Sequence, residues 1–564
     1  MPFTAGLLCL LTLLAAFIFS VSPPAQPADL LLVHGHIWTG NTARPWAEAI
    51  AVGKNRIIRV GTDAEIAGRA GLGTERIDLG GRFAMPGIND AHTHFLSGSL
   101  LLSQVDLTGA RSLEEIQRRV KDFAAAHPNA PWITGSGWEY AALPNNRLPN
   151  RRDLDAVVAD RPVYLRAYDG HTAWVNSKAL AVAGVGKDTK FQGFGELVRD
   201  GATGEPAGVL KEGAMGLVSK SIPQPSRQEK LEALRQGLRL AASLGITSFQ
   251  NASGDRTEFG LYEELQKRNE LTARVMMALS VGGNTSRDDI DRIAGLKKAF
   301  QGSFLRTGAV KIMLDGVIET HTAAMLAPYS DKPGESGSPS LSQEKLNELV
   351  SMADRAGLQV YTHAIGDRAV RMALDAYETA LAANGKRDSR FRIEHIETVA
   401  PSDIPRFARL GVLASMEPIH ADPGTNGVWG PAVGQERSRL GFAWRSLEKA
   451  GARLVFSSDW PAAISVDPIR GIHNAVNRQT IEGQPPGGWI PEQRISLDSA
   501  LRAYTSGGAY ASFEENEKGT LEEGKFADVV VLSRDLFKIP PAQLHTAHVV
   551  LTILDGRVIF RKLQ

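Results

Sequence analysis

At 564 residues the chain is too long for one compact core, so two or more folding units are expected. With 43% hydrophobic and 22% charged residues it has an ordinary globular composition, which excludes intrinsic disorder. Lys plus Arg, 63, balances Asp plus Glu, 62, which leaves no basic excess to meet nucleic acid or an anionic membrane, so the expected partner is a small molecule.

Residues 5–19 are apolar apart from Thr12 and carry no charge. Ser20-Val21-Ser22 and Pro23-Pro24 follow. The run resembles the apolar stretch of a signal peptide and is shorter than a membrane span of roughly 20 residues. No Lys or Arg precedes it. Residues 1–28 are therefore read as a signal peptide, or as an uncleaved anchor, of an exported protein. The run holds the one cysteine, Cys9, so the remainder forms no disulfide and binds no metal through thiolate. Any metal site must use His, carboxylate or modified Lys.

Short apolar runs at 28–33, 37–39, 49–52 and 56–60, separated by Gly and Asn turns, predict a small β domain. Runs at 527–532, 549–554 and 557–560 repeat the style, the last two joined by Asp555-Gly556, a hairpin signal. The two ends, 29–86 and 513–564, are expected to form one small β-sandwich around an inserted domain at 87–512. Within that domain, strand candidates at 245–249, 274–279, 309–314, 358–362, 391–393, 412–416 and 453–456 alternate with helical stretches such as 344–355 and 369–383. Alternation of this kind means parallel β. The strand before His92 makes the set a closed α/β (β/α)8 TIM barrel. A stretch at about 97–244, carrying Trp132, Trp138, Tyr140, Tyr164, Tyr168 and Trp174, does not fit the repeat. Extra chain after barrel strand 1 sits over the mouth, so it is read as a lid or substrate-binding insertion, against a merely stabilising layer.

His92-Thr93-His94 places two imidazoles on one strand face, where they can share a metal. Alone this motif says little, and His34-Gly35-His36 repeats it in the small β domain without downstream support. His363, His395 and Asp459 add weight because each ends an apolar strand, where barrel enzymes place their chemistry. His363 and His395 are one strand–helix unit apart, His395 and Asp459 two. Lys311, inside an apolar strand, is costly to bury unless paired or modified.

The stretch Pro86-Gly87-Ile88-Asn89-Asp90-Ala91-His92-Thr93-His94 resembles the strand-1 signature of the metal-dependent amidohydrolase superfamily. Within it, Asp169-Gly170-His171-Thr172, Asp315-Gly316-Val317, His363-Ala364-Ile365-Gly366-Asp367, Ile393-Glu394-His395, Ser458-Asp459-Trp460-Pro461 and Gly524-Lys525-Phe526-Ala527-Asp528 resemble the branch labelled amidohydrolase family 3, which contains N-substituted formamide deformylases. The resemblance covers nearly the whole chain after residue 28. It implies one or two divalent metals, zinc being the expected ion, with His92, His94 and Asp459 holding one, His363 and His395 the second, and carboxylated Lys311 as bridge. It also implies that His171 and Asn176 reach the pocket; His321, in the loop after the Lys311 strand, joins them as a substrate-contact candidate.

The expected chemistry is hydrolysis of a non-peptide amide-type bond by metal-activated water, with Asp459 as proton shuttle. Asp90 and Glu394 are candidates to orient the histidines, or else ordinary salt-bridge partners. His420 is a weaker site candidate, and His473 and His127 read as helix or surface residues. Two other readings stay open: a mononuclear heterocycle deaminase, which does not need Lys311, and a non-catalytic exported metal-binding regulator.

Overall fold

The computed structural model describes residues 27–143, 147–167, 171–192 and 195–562. The apolar N-terminal run and Asp169-Gly170 lie outside these residues. Among the described residues no helix is long and apolar enough to cross a membrane.

Eight strands form one sheet in sequence order: β1 (Ile88–Thr93), β2 (Ile246–Gly254), β3 (Arg274–Val281), β4 (Leu305–Met313), β5 (Gln359–Ala364), β6 (Arg392–His395), β7 (Leu413–Met416) and β8 (Leu454–Phe456). Each pairs in parallel with the next. Strands buried on both faces read as continuous apolar runs, which is why the pattern was visible. The ring closes just past the strand ends. Asp459 N–H donates to His92 O and His94 N–H to Trp460 O, both at 2.8 Å. Ser458 donates to Asp90 from its backbone at 2.9 Å and its hydroxyl at 2.6 Å. This is the expected (β/α)8 barrel.

Helices α1 (Phe95–Leu101), α2 (Arg227–Ser243), α3 (Arg256–Lys267) and α4 (Arg287–Ala299) cover the β1–β4 side. α2 starts at a capping box, Ser226 with Glu229, and turns Leu231, Leu234, Leu238 and Ala241 inward at helical spacing. α1 lies close under the loop after β8, since a Cβ on Gly98 would fall 2.3 Å from the Trp460 ring.

The barrel interior holds a polar plug. Arg392 is fully buried and donates to Glu394, Gln250, Ala91 O and Ser415. Its guanidinium lies 3.9 Å over the Tyr361 ring. Glu394 neutralises it, so the charge costs far less than an isolated one would.

Between α1 and α2 the chain builds a separate six-stranded sheet from Val105–Asp106, Ile133–Trp138, Val163–Ala167, Thr172–Val175, Gly195–Arg199 and Pro206–Glu212. The extra layer is thus shorter at both ends than the expected 97–244, because α1 and α2 belong to the barrel's helical coat. Trp138 and Trp174 are buried in its own core rather than facing outward.

The chain ends meet in two sheets. One is built from Leu30–Val33, Ala49–Gly53, Arg56–Gly61 and Glu75–Asp78. The other joins His36–Trp38, Trp46–Ala47 and Phe83–Pro86 to Val529–Leu532, Val549–Leu554 and Arg557–Arg561. They share an apolar core that includes Leu32, Ile50, Ala84, Val529 and Ile553. Arg274, at the start of β3, ties this unit to the barrel floor: it is 2% exposed and bonds Asp528 at 2.8 and 3.0 Å and Asp555 at 2.8 Å. Removing Asp528 strands a buried charge. Asp528→Ala is expected to cost about 3–5 kcal/mol in denaturant melts, whereas Arg59→Ala, which breaks an exposed pair with Glu523, should cost no more than about 1 kcal/mol. Equal losses would remove Arg274–Asp528 as the anchor.

Candidate metal centre

The carboxyl ends of β1, β4, β5, β6 and β8 bring His92, His94, Lys311, His363, His395 and Asp459 to one end of the barrel. Rings of His92 and His94 lie 5.5 Å apart, His92 and His395 4.9 Å, and His363 and His395 4.4 Å. Strand alternation does not account for all of this. Arg392 and Glu394 share the inward face of β6, so His395 should point out. Left-handed backbone at His395 (φ 76°) and Ile396 (φ 51°) ends the alternation and swings His395 inward beside Glu394. Asp459 is also left-handed, with φ 53°. Such conformations in non-glycine residues cost of order 1–3 kcal/mol and concentrate at functional sites.

Two carboxylates aim the imidazoles. His92 Nδ1 donates to Glu394 at 2.6 Å and His395 Nδ1 to Glu417 at 2.8 Å. Each ring therefore presents Nε2 toward the centre, the arrangement that orients metal-ligating histidines. Glu394 has the role considered for it. Asp90 does not: its oxygens are taken by Ser458, so it braces the turn that carries Asp459. Glu417 was missed by sequence reasoning. The available signal was a carboxylate directly after an apolar strand, the same signal that found Asp459.

Asp459 is buried, 5% exposed, with its carboxylate turned into the site. Its Oδ1 faces His94 Nε2 at 3.2 Å and His92 Nε2 at 3.4 Å. Ligand atoms of His92, His395 and Asp459 all lie within 4.8 Å of one another. Burial would raise the Asp459 carboxyl, but His92, His94 and His395 outweigh it and hold it well below the usual range. Burial pushes His92 and His363 well below the ordinary imidazole value and His395 down to about 4. A carboxylate among imidazole nitrogens supplies the oxygen and nitrogen donors that a divalent cation binds. Without thiolate, the nitrogen and oxygen donors suit zinc and similar ions.

This compact set crosses the expected division, in which His92, His94 and Asp459 held one ion and His363 and His395 another. His363 turns Nε2 toward Gly316 O at 3.3 Å. Lys311 is 2% exposed, and its Nζ lies 3.2 Å from His92 Nε2. Burial lowers its pKa, against the pull of Glu394, Asp459 and Glu417.

Asp315, at the start of Asp315-Gly316-Val317, has a structural role. It accepts from the backbone of Ala324, Ile365 and Gly366 at 2.9, 3.1 and 2.9 Å. A Cβ at Gly366 would fall 2.1 Å from Ala324 O. The pair staples the loop after β4 to the loop after β5, behind His363.

The expected substrate contacts fare differently. Asn176 is a correction. It is fully buried in the extra layer, caps the helix Ser177–Val182, accepts from Val163 and Ala179 N–H, and donates to Val158 O and Arg161 O. Its amide has nothing left for a ligand. His171 stands half exposed in the same layer, with Nδ1 3.1 Å from Glu212. His321 fastens its own loop through Asp331 at 2.9 Å and packs edge-on to Tyr329.

His34 and His36 pair with Asp78 and Asp535 in the terminal sandwich. His473 is buried rather than superficial, held by Thr480 O and Asn477. His420 is the better site residue: Nε2 lies 3.5 Å from Asp459 Oδ2 and Nδ1 3.7 Å from Glu397. Burial opposes its charge, but Glu397, Asp459 and Glu417 push its pKa up to about 9.

Imidazoles and a carboxylate converging at the carboxyl end of a (β/α)8 barrel define a metal-dependent hydrolase. Residues 75–560 match the sequence profile of the Amidohydrolase family, and the chain belongs to that family. It is similar to Protein LONG AFTER FAR-RED 3 of Arabidopsis thaliana, at 34% identity over 96% of this chain and 93% of the relative. N-substituted formamide deformylase of Arthrobacter pascens is 28% identical over 94% of this chain and 98% of its own. The crystal structure of an uncharacterized metal-dependent hydrolase from Pyrococcus furiosus superposes with a TM-score of 0.72 and 29% identity, covering 90% of this chain and all 100% of that one.

Proposed function

We propose that the protein hydrolyses a non-peptide amide-type C–N bond in a small molecule: a formamide, an N-acyl amine or a cyclic amide. The observation that carries the reading is the buried Asp459 Oδ1 within 3.4 Å of the Nε2 atoms of His92 and His94, with His395 completing a compact nitrogen–oxygen set. Likeness to a formamide deformylase supports the bond type. His92, His94, His363, His395 and Asp459 would hold one or two zinc ions, with carboxylated Lys311 as bridge.

A divalent cation held there supplies an acidified water, with pKa near about 7, and a charge that polarises the amide carbonyl. The protein's own part is proton handling and orientation. Asp459 takes the water proton on a carboxylate oxygen and returns it to the departing nitrogen, so one residue serves as base and then acid. Glu394 and Glu417 keep the His92 and His395 rings from turning.

The compact three-residue set, and His363 turned to Gly316 O, favour a second reading: a single ion and deamination of a heterocycle. The number of ions per chain separates the two.

The test is zinc-loaded protein offered formamides, acyl amino acids and cyclic amides. Turnover should vanish with chelator and return with metal. His92→Ala combined with His94→Ala should abolish bound metal in elemental analysis. Full metal retention would move the site elsewhere; metal binding without turnover of any amide would leave the deaminase and regulator readings.

A further inference from the structure

Strand β2 runs beside β1, with Asn251 opposite Thr93. Its register with β3 shifts between Asn251 and Gly254, and an irregularity of this kind re-aims side chains at a strand end. Ser253 sits there, half-buried, with Oγ 3.1 Å from His94 Nδ1. Asn251 is fully buried and ties the two residues together. Its Oδ1 accepts at 2.9 Å from the N–H of Phe95, the residue after His94, and its Nδ2 donates to Ser253 O at 3.2 Å. Glu258, in α3, hydrogen-bonds the same side chain. The backbone that carries Ser253 is therefore fixed relative to the backbone that carries His94.

The imidazoles around Asp459 are not all held alike. His92 and His395 are gripped through Nδ1 by the carboxylates of Glu394 and Glu417, and are 0% and 3% exposed. The His94 side chain is 29% exposed, and its Nδ1 meets a neutral hydroxyl. A ring that offers Nε2 to a cation carries its hydrogen on Nδ1, so His94 Nδ1 donates and Ser253 Oγ accepts. That bond fixes the angle of a ring which packing alone leaves partly open to the mouth, and His94 Nε2 then lies 3.2 Å from Asp459 Oδ1.

We infer that Ser253 is the positioning residue of His94, its hydroxyl holding the imidazole with Nε2 turned to Asp459 and to the cation bound there. The inference rests on the metal-centre part of the reading above and not on the bond that is cleaved. Groups that orient a metal-ligating imidazole in this way typically govern metal affinity by about tenfold or more.

The experiment is zinc titration of the full chain in competition with a chelating dye, with thermal melting of the zinc-free protein as a second readout. Ser253→Ala should weaken zinc binding by about tenfold or more. Zinc-free Ser253→Ala should melt within about 2 °C of zinc-free wild type. Ser253→Thr keeps the oxygen and should bind zinc within about threefold of wild type. Ser103→Ala, at an exposed hydroxyl after α1, should change neither readout. Wild-type zinc affinity in Ser253→Ala would overturn the inference and leave the metal centre intact. Equal weakening in Ser253→Ala and Ser253→Thr, or zinc-free Ser253→Ala melting lower by well over about 2 °C, would overturn it too, since the residue would then act through packing. Titration needs no turnover, so protein that binds zinc and cleaves no amide still decides the inference while the hydrolase reading fails. Wild-type protein that binds no zinc overturns both.

Discussion

Asp459→Asn should lower kcat by about 10²-fold or more, measured per bound metal ion, with a much smaller change in KM. The amide keeps the size of the carboxylate and loses its basic oxygen. Oδ1 stands 3.2 Å from His94 Nε2 and Oδ2 stands 3.5 Å from His420 Nε2, so the affected atoms are at the centre of the site. The backbone is not disturbed, because asparagine tolerates the left-handed conformation at φ 53° as readily as aspartate does. Elemental analysis of the variant separates loss of a ligand from loss of a base. A near-normal kcat would take Asp459 out of the mechanism.

Lys311→Ala should lose one of two metal ions and most of the activity, and added acetate should restore part of both. A buried ammonium beside divalent cations would be strongly repelled, and burial already lowers the pKa of this lysine. As the neutral amine it can add CO2, forming an N–C bond and releasing a proton, which makes an anion with an oxygen for each ion. Register supports the placement: Lys311 lies between Ser280 and Tyr361 on neighbouring strands, and Tyr361 is an interior residue. An unmodified lysine in electron density, with one ion per chain in metal-saturated protein, would defeat this expectation and shift weight to the mononuclear deaminase.

The barrel was legible because eight parallel strands are buried on both faces, and each shows as a short apolar run ended by a polar residue. That rule located His363, His395 and Asp459 without any knowledge of their neighbours. It could not see which polar groups serve the others. Asp90 sits two residues from His92, yet it bonds Ser458 across the closing seam of the barrel. Glu417 is remote in sequence from His395, yet it holds that ring. Asn176 stands in a motif that suggested a pocket residue, but its amide is used up within the extra layer.

By itself, then, the sequence determined the strand order, the strand-end positions of His92, His94, His363, His395 and Asp459, and the absence of thiolate from any site after Cys9. These follow from local periodicity and residue chemistry, which the chain carries wherever it folds. Only the tertiary structure decided the inward turn of His395, the pairing of His92 with Glu394 and of His395 with Glu417, and the grouping of His92, His395 and Asp459. Those depend on backbone departures from strand geometry and on contacts between residues hundreds of positions apart, and barrel closure sets both.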